Sequence, residues 1–270
     1  MTDSSRGVQS IEVGGRLLRV LAASAQPLML RDLAAGAALT PAQAHAYLAS
    51  FRKLDLVEQD PESGRYALGP FALALGLARM RGFAPLRAAS RGAVELAASL
   101  GLMVTVAVWG NFGATIVQVH ESVDQVHVNL RAGTVYSLTG TATGRVFAAF
   151  LPDAVVAPRL RAELAEGGRT QRVGTQAAPA EMAAEREAVR RRGYAIAEGM
   201  PVPGINALSA PVFDHAGQLQ TVITVIGPAA SLPTSPGTPQ LAALLAFTRR
   251  LSAELGHRAE EAASGLPAPG

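Results

Sequence analysis

The sequence contains no cysteine, and of its 24 basic residues only Lys53 is a lysine, the other 23 being arginine. The missing thiols exclude a disulfide scaffold, thiol catalysis and a cysteine-ligated metal. A strong charge of either sign is missing too. The 21 acids leave a formal net charge of +3, so no polybasic coat exists, and bulk charge gives no argument for nucleic acid. Long apolar runs are also lacking. Phe71–Ala78 and Leu102–Trp109 are the longest, far short of the ~20 residues that span a bilayer. The start, Met1-Thr2-Asp3-Ser4-Ser5-Arg6, is polar with no apolar stretch behind it, so a cytoplasmic chain without a membrane partner is expected.

Familiar catalytic patterns are absent as well. There is no Gly-x-Ser-x-Gly, no His-Glu-x-x-His, no Gly-Lys-Ser/Thr loop and no Gly-x-Gly-x-x-Gly after a strand. Gly140-Thr141-Ala142-Thr143-Gly144 runs into Arg145 and is not a phosphate loop. The histidines at 45, 120, 127, 215 and 257 show no ligand spacing beyond a loose His120/His127 pair. Neither a metal nor a cofactor is expected. What is present is a globular composition, 49% hydrophobic and 17% charged over 270 residues, with room for two domains.

The first eighty residues predict three helices and a hairpin. Ser10 can cap a helix carrying Ile11, Leu17, Leu18 and Leu21, ending before Pro27; Leu30–Ala37 follows. Thr40-Pro41 opens the third helix, with cap and first-turn proline in their favoured places, and Ala44, Leu48 and Phe51 form its buried stripe. Leu56–Gln59 and Arg65–Leu68 flank Asp60-Pro61-Glu62-Ser63-Gly64 as a hairpin. This is the order of a winged helix-turn-helix.

Beyond it, Phe71–Met80 predicts a linking helix and Pro85–Leu100 another. Strands are expected at Leu102–Trp109, Ala114–Glu121 and Gln125–Arg131, the last alternating Val126, Val128 and Leu130 with polar residues. Helices at Ala142–Leu151, Asp153–Ala165 and about Pro179–Arg192 precede strands at Tyr194–Glu198, Ile205–Phe213 and Leu219–Ile226. A Pro/Ser-rich connector, Pro228–Pro239, leads to a last helix, Gln240–Arg258. Strands on both sides of a helical block imply α+β layers around one mixed or antiparallel sheet.

Several of these segments resemble the IclR family of bacterial transcriptional regulators. They are Leu30-Arg31-Asp32-Leu33-Ala34, Leu39–Leu48, the wing Asp60-Pro61-x-x-Gly64-Arg65-Tyr66-x-Leu68-Gly69, Thr139–Leu151, Arg192-Gly193-Tyr194-Ala195, Ser209–Asp214 and Thr224–Pro228. The resemblance spans about residues 8–258. It implies a winged helix-turn-helix domain at 8–70, a linker helix at 71–84, a GAF-like antiparallel-sheet effector domain at 85–258 and a disordered tail at 259–270.

The resemblance places a DNA interface on the third helix and wing. Thr40, Gln43, Ala46 and Tyr47 are the candidates to face base edges, and Arg52, Lys53 and Arg65 to meet phosphate. The family usually has arginine where Ala46 stands and often glycine where Ala38 stands. It also implies an effector pocket at the helix start around Thr141, Ala142 and Thr143, where free N–H groups suit a carboxylate. The facing wall is expected from Glu198, Met200, Asn206, Pro211 and Thr224, with Trp109 and Val128 toward the same cavity. Ile226 and Pro211 replace more polar family residues, which suggests a larger, flatter acid such as an aromatic carboxylate.

The expected partners are an operator duplex, a small organic or aromatic acid and further copies of the chain in a dimer or dimer of dimers. The competing reading is an enzyme acting on a small acid, with Glu198 or His127 as acid/base and the N-terminal unit serving as a protein-contact module. A ligand-blind regulator acting by DNA occupancy alone is a third.

Overall fold

Two local signals in the sequence reappear as geometry in the first unit of the chain. A computed structural model describes residues 7–24, 26–121, 130–166, 172–173 and 179–257, and they divide into two compact units meeting at Phe83/Ala84. In the first unit, α1 (Gln9–Ala23), α2 (Leu30–Gly36) and α3 (Pro41–Lys53) precede β1 (Val57–Gln59), β2 (Tyr66–Leu68) and α4 (Pro70–Gly82).

Thr40 caps α3 in a full capping box. The Gln43 amide donates to its hydroxyl oxygen at 3.3 Å, and the Gln43 side-chain oxygen accepts from the Thr40 amide at 3.1 Å. The second signal is the wing. Asp60 Oδ1 accepts from the Ser63 amide at 2.6 Å and the Ser63 hydroxyl at 2.7 Å, while Gly64 takes φ +69 to close the turn. Those two bonds from Ser63 hold the Asp60 carboxyl below its ordinary value.

The helices close on Leu17, Leu21, Leu33, Ala34, Ala44 and Leu48, with Val57 and Tyr66 from the hairpin sealing the core. Phe51, expected on the buried stripe, is half-buried against that core. Ser10 does not cap α1. The cap position is Val8, which makes no side-chain bond, and Ser10 lies inside the helix. An unanticipated bridge joins Leu28 to Tyr66, adding a third extended segment beside the hairpin.

The described residues of the second unit form a seven-stranded sheet with helices packed on it. Its elements are α5 (Ala84–Leu100), β3 (Met103–Gly110), β4 (Gly113–His120), β5 (Val135–Tyr136), α6 (Ala142–Phe150), α7 (Asp153–Glu166), β6 (Arg172–Val173), α8 (Pro179–Arg192), β7 (Ala195–Glu198), β8 (Ile205–Phe213), β9 (Leu219–Pro228) and α9 (Pro239–Glu254). Strand order is β6-β5-β4-β3-β9-β8-β7. Every pairing is antiparallel except β5 with β6, which is parallel, so the expected antiparallel sheet has one parallel edge.

The short strands β5 and β6, which end the sheet on one side, were not foreseen, because two residues apiece carry no period. The strand expected at Gln125–Arg131 falls mainly on residues outside those described, and Leu130 and Arg131 are not in a strand. The tail at 259–270 and Val128 lie outside them too. The last helix is shorter than expected. Gly256, at φ +81, lets the His257 amide return to the Ser252 carbonyl at 2.8 Å and the Gly256 amide to Ala253 at 2.9 Å, a glycine-terminated C-cap. No helix among the described residues is long and apolar enough to cross a membrane.

Candidate functional sites in the two units

Helix α6 carries the pocket of the second unit. Thr141 is its N-cap: the hydroxyl accepts from the Gly144 amide at 3.0 Å and donates to the Ser137 carbonyl at 2.8 Å. Ala142 and Thr143 follow, and their amides make no hydrogen bond within the protein, the usual state of first-turn donors. The other end of the helix is held as firmly. Arg186 and Arg190 of α8 donate Nε bonds of 2.6 Å each to the Ala148 and Ala149 carbonyls, completing the last turn. The Arg186 guanidinium also bonds Asp153 and lowers that carboxyl's pKa through the bond and the charge together.

A cavity opens beside this helix start. It offers about 40 Å³ that a water centre can reach, and it brings together Thr141, Ala142, Thr143, Met200 and Thr224. Its remaining walls are apolar: Leu130, Tyr136, Ala197, Pro201, Val202, Ile205, Ala207 and Ile226. Among the described residues no charged side chain lines it. The hydroxyls of two lining residues, Thr143 and Thr224, belong to a row that continues behind the cavity to Ser209. Thr224 Oγ1 lies 2.7 Å from Thr143 Oγ1 and 2.7 Å from Ser209 Oγ. Burial pushes the Tyr136 phenol far above its usual range, against a smaller opposing effect of the Thr105 hydroxyl, so it stays protonated.

The other residues expected at this cavity lie elsewhere. Trp109 packs its ring 5.7 Å from Phe147, as part of the core. Asn206 is buried but structural, accepting from the Gly199 amide and donating to the Leu232 carbonyl, each at 3.0 Å. Pro211 sits within β8 opposite Val222, beyond the last residue that pairs with β7. It does not reach the cavity, and the part of the aromatic-acid argument that used it falls away. Glu198 is exposed and accepts from the Thr234 hydroxyl. Among the described residues no three metal-ligating side chains cluster, and His127 lies outside them.

In the first unit, Thr40, Gln43 and Ala46 are exposed along α3, as are Arg52, Lys53 and Arg65. Tyr47 is half-buried, its ring against Gly14, where an added Cβ would lie 3.1 Å from it. Arg52 donates to Gln59 Oε1 at 3.0 Å, and Gln59 Nε2 to the Gly64 carbonyl at 3.0 Å, tying helix to wing. Arg65 is braced on the Pro27 carbonyl at 3.1 Å. Three exposed cations thus lie at the end of α3 and in the wing, interspersed with the exposed acids Asp55, Glu58, Asp60 and Glu62. Gln43 is the exception to its expected role. Its amide oxygen serves the cap, so a bidentate grip on adenine requires that bond to be released.

A two-stranded wing on three helices, followed by a sheet domain with a small hollow, matches known proteins over most of its length. The IclR helix-turn-helix domain matches residues 10–61 and the bacterial transcriptional regulator IclR C-terminal domain residues 84–253. The chain belongs to the IclR family. A glycerol operon regulatory protein of Streptomyces griseus is 32% identical over 257 residues, 93% of this chain and 98% of that one. The crystal structure of Pseudomonas aeruginosa HmgR is 38% identical, with TM-score 0.58, covering 93% and 99% of the two chains. An IclR regulator from Alicyclobacillus acidocaldarius shares the fold at TM-score 0.71 and 21% identity, over 93% and 98%. This IclR protein is therefore a transcriptional regulator with a DNA-binding helix-turn-helix, not an enzyme, and the reading of an acid-processing catalyst is set aside.

The walls from Tyr136, Ala197, Val202 and Ile205 were missed at the sequence level. No local pattern marks them, because Tyr136 of β5 meets the stretch 197–205 only through the sheet fold.

Proposed function

We propose that this regulator responds to a small organic monocarboxylic acid held at the start of α6. The supporting observation is the pairing of two unbonded amides, Ala142 and Thr143, with a cavity that has no charged side chain among the described residues. One carboxylate matches the N–H groups and the positive helix end. A phosphate dianion would find no cation beside it among the described residues. The apolar walls favour an acid with an apolar body, an aromatic carboxylate among them, and Met200 and Pro201, both exposed, are the walls free to yield to a ring. Isothermal titration with benzoate and with pyruvate tests the class. Tighter binding of benzoate is expected, and a clear preference for pyruvate contradicts the apolar-body reading.

The operator would be a pseudo-palindrome read by α3 of two copies, with Thr40 and Ala46 near base edges and Arg52, Lys53 and Arg65 on phosphates. A homodimer or dimer of dimers follows from that symmetry. It is supported by α4, which leaves Phe71, Leu73, Leu75 and Leu77 exposed, Leu73 by 66%. Leu73→Glu should shift the mass measured by light scattering toward the monomer. That a relative carries the name of an operon regulator supports control of an operon here.

A further inference from the structure

The turn before α6 is gripped by a carboxylate that plays no direct part in the ligand reading. Glu163 of α7 is 3% exposed. Its Oε1 accepts from the Ser137 hydroxyl at 2.5 Å and the Thr139 hydroxyl at 3.0 Å, and its Oε2 accepts from the Leu138 amide at 2.9 Å. The Thr139 and Gly140 amides donate to the Ser137 hydroxyl oxygen at 3.2 and 2.9 Å. Arg145 holds the same turn from the other side, donating Nε to the Thr139 carbonyl at 3.0 Å.

The turn transmits its position to the helix. The Ser137 carbonyl accepts from Thr141, whose hydroxyl caps α6. Gly144 is pressed so close that an added Cβ would lie 1.9 Å from the Ser137 oxygen. Every amide from Leu138 to Gly140 is thereby occupied, whereas those of Ala142 and Thr143 are not.

We propose that Glu163 is the positioning residue of the pocket: an internal carboxylate fills the upstream donors and sets the turn, so that an external carboxylate meets Ala142 and Thr143. The consequence for affinity rests on the ligand reading above, but the positioning itself is tested without ligand.

Glu163→Gln preserves shape while opposing an N–H₂ group to one of the donors. Amide hydrogen exchange on the full chain should then quicken at least about tenfold across residues 138–144, with β8 and β9 unchanged. Exchange that stays the same, or that quickens equally in β8 and β9, overturns the proposal, because Glu163 would then contribute nothing local. Benzoate and pyruvate supply the second readout. Whichever binds the wild type should lose about tenfold in affinity in the variant, and undiminished affinity overturns the proposal. A wild type that binds neither acid counts against the ligand reading instead, and the exchange pattern alone decides this one.

Discussion

Thr143 of α6 and Thr224 of β9 join hydroxyls at 2.7 Å, fastening the pocket helix to the centre of the sheet. Ser209 completes the row at 2.7 Å from Thr224, its register partner on β8. All three residues are buried, so Thr224→Val leaves Thr143 and Ser209 with only their longer 3.4 Å contact to each other, without opening a cavity. A loss of about 2 kcal/mol is expected, read as a lower urea midpoint for the second unit. A midpoint equal to wild type would mean that the row contributes nothing.

Ala38 ends the α2–α3 turn at φ +54, in the left-handed region that a Cβ disfavours. Ala38→Gly should stabilise the first unit by up to about 1 kcal/mol, the relief of strain outweighing the added freedom of the unfolded chain. Calorimetry would show a melting temperature higher by a few degrees. A lower one contradicts the strain argument.

The wing should respond to acid. Asp60 has a folded-state pKa lowered by its bonds from Ser63, so its stabilisation is present above the ordinary value of 3.8 and is lost as pH falls through the folded value. The amide resonance of Ser63 should titrate with a midpoint below 3.8. In Asp60→Asn that step should vanish.

Arg52 and Arg65 are predicted to meet phosphates rather than bases. Replacing either by alanine should weaken binding about equally for specific and unrelated duplexes and reduce the salt slope by about 1. Arg52→Ala also frees Gln59 from the helix. Weakening confined to the specific duplex would place that arginine on a base edge.

The parts of this protein legible in its sequence are the ones encoded by neighbours. Thr40 and Pro41 mark a helix start within two residues, and Asp60 through Arg65 write out a turn whose bonds span at most five positions. Gln43 shows how such signals can compete: three residues after a capping threonine it suits a capping box, and on an exposed helix face it suits adenine. The box is the role it takes here. Glu163 gave no such signal, because one glutamate in a helix looks solvated and its partners lie 24–26 residues back. Pro211 and Trp109 misled for the complementary reason. Their residue types suit a pocket wall, yet strand register alone decides which cavity, if any, a side chain meets.

Fluorescence anisotropy of a labelled duplex from the regulator's own upstream region, titrated across a salt series with and without benzoate, tests the account most directly. The account predicts a steep salt dependence and a change in affinity of about 5-fold or more when the acid is present, with that change abolished in Thr143→Pro, which removes one of the two free amides. An affinity that is insensitive to benzoate and pyruvate alike would contradict control through the α6 pocket.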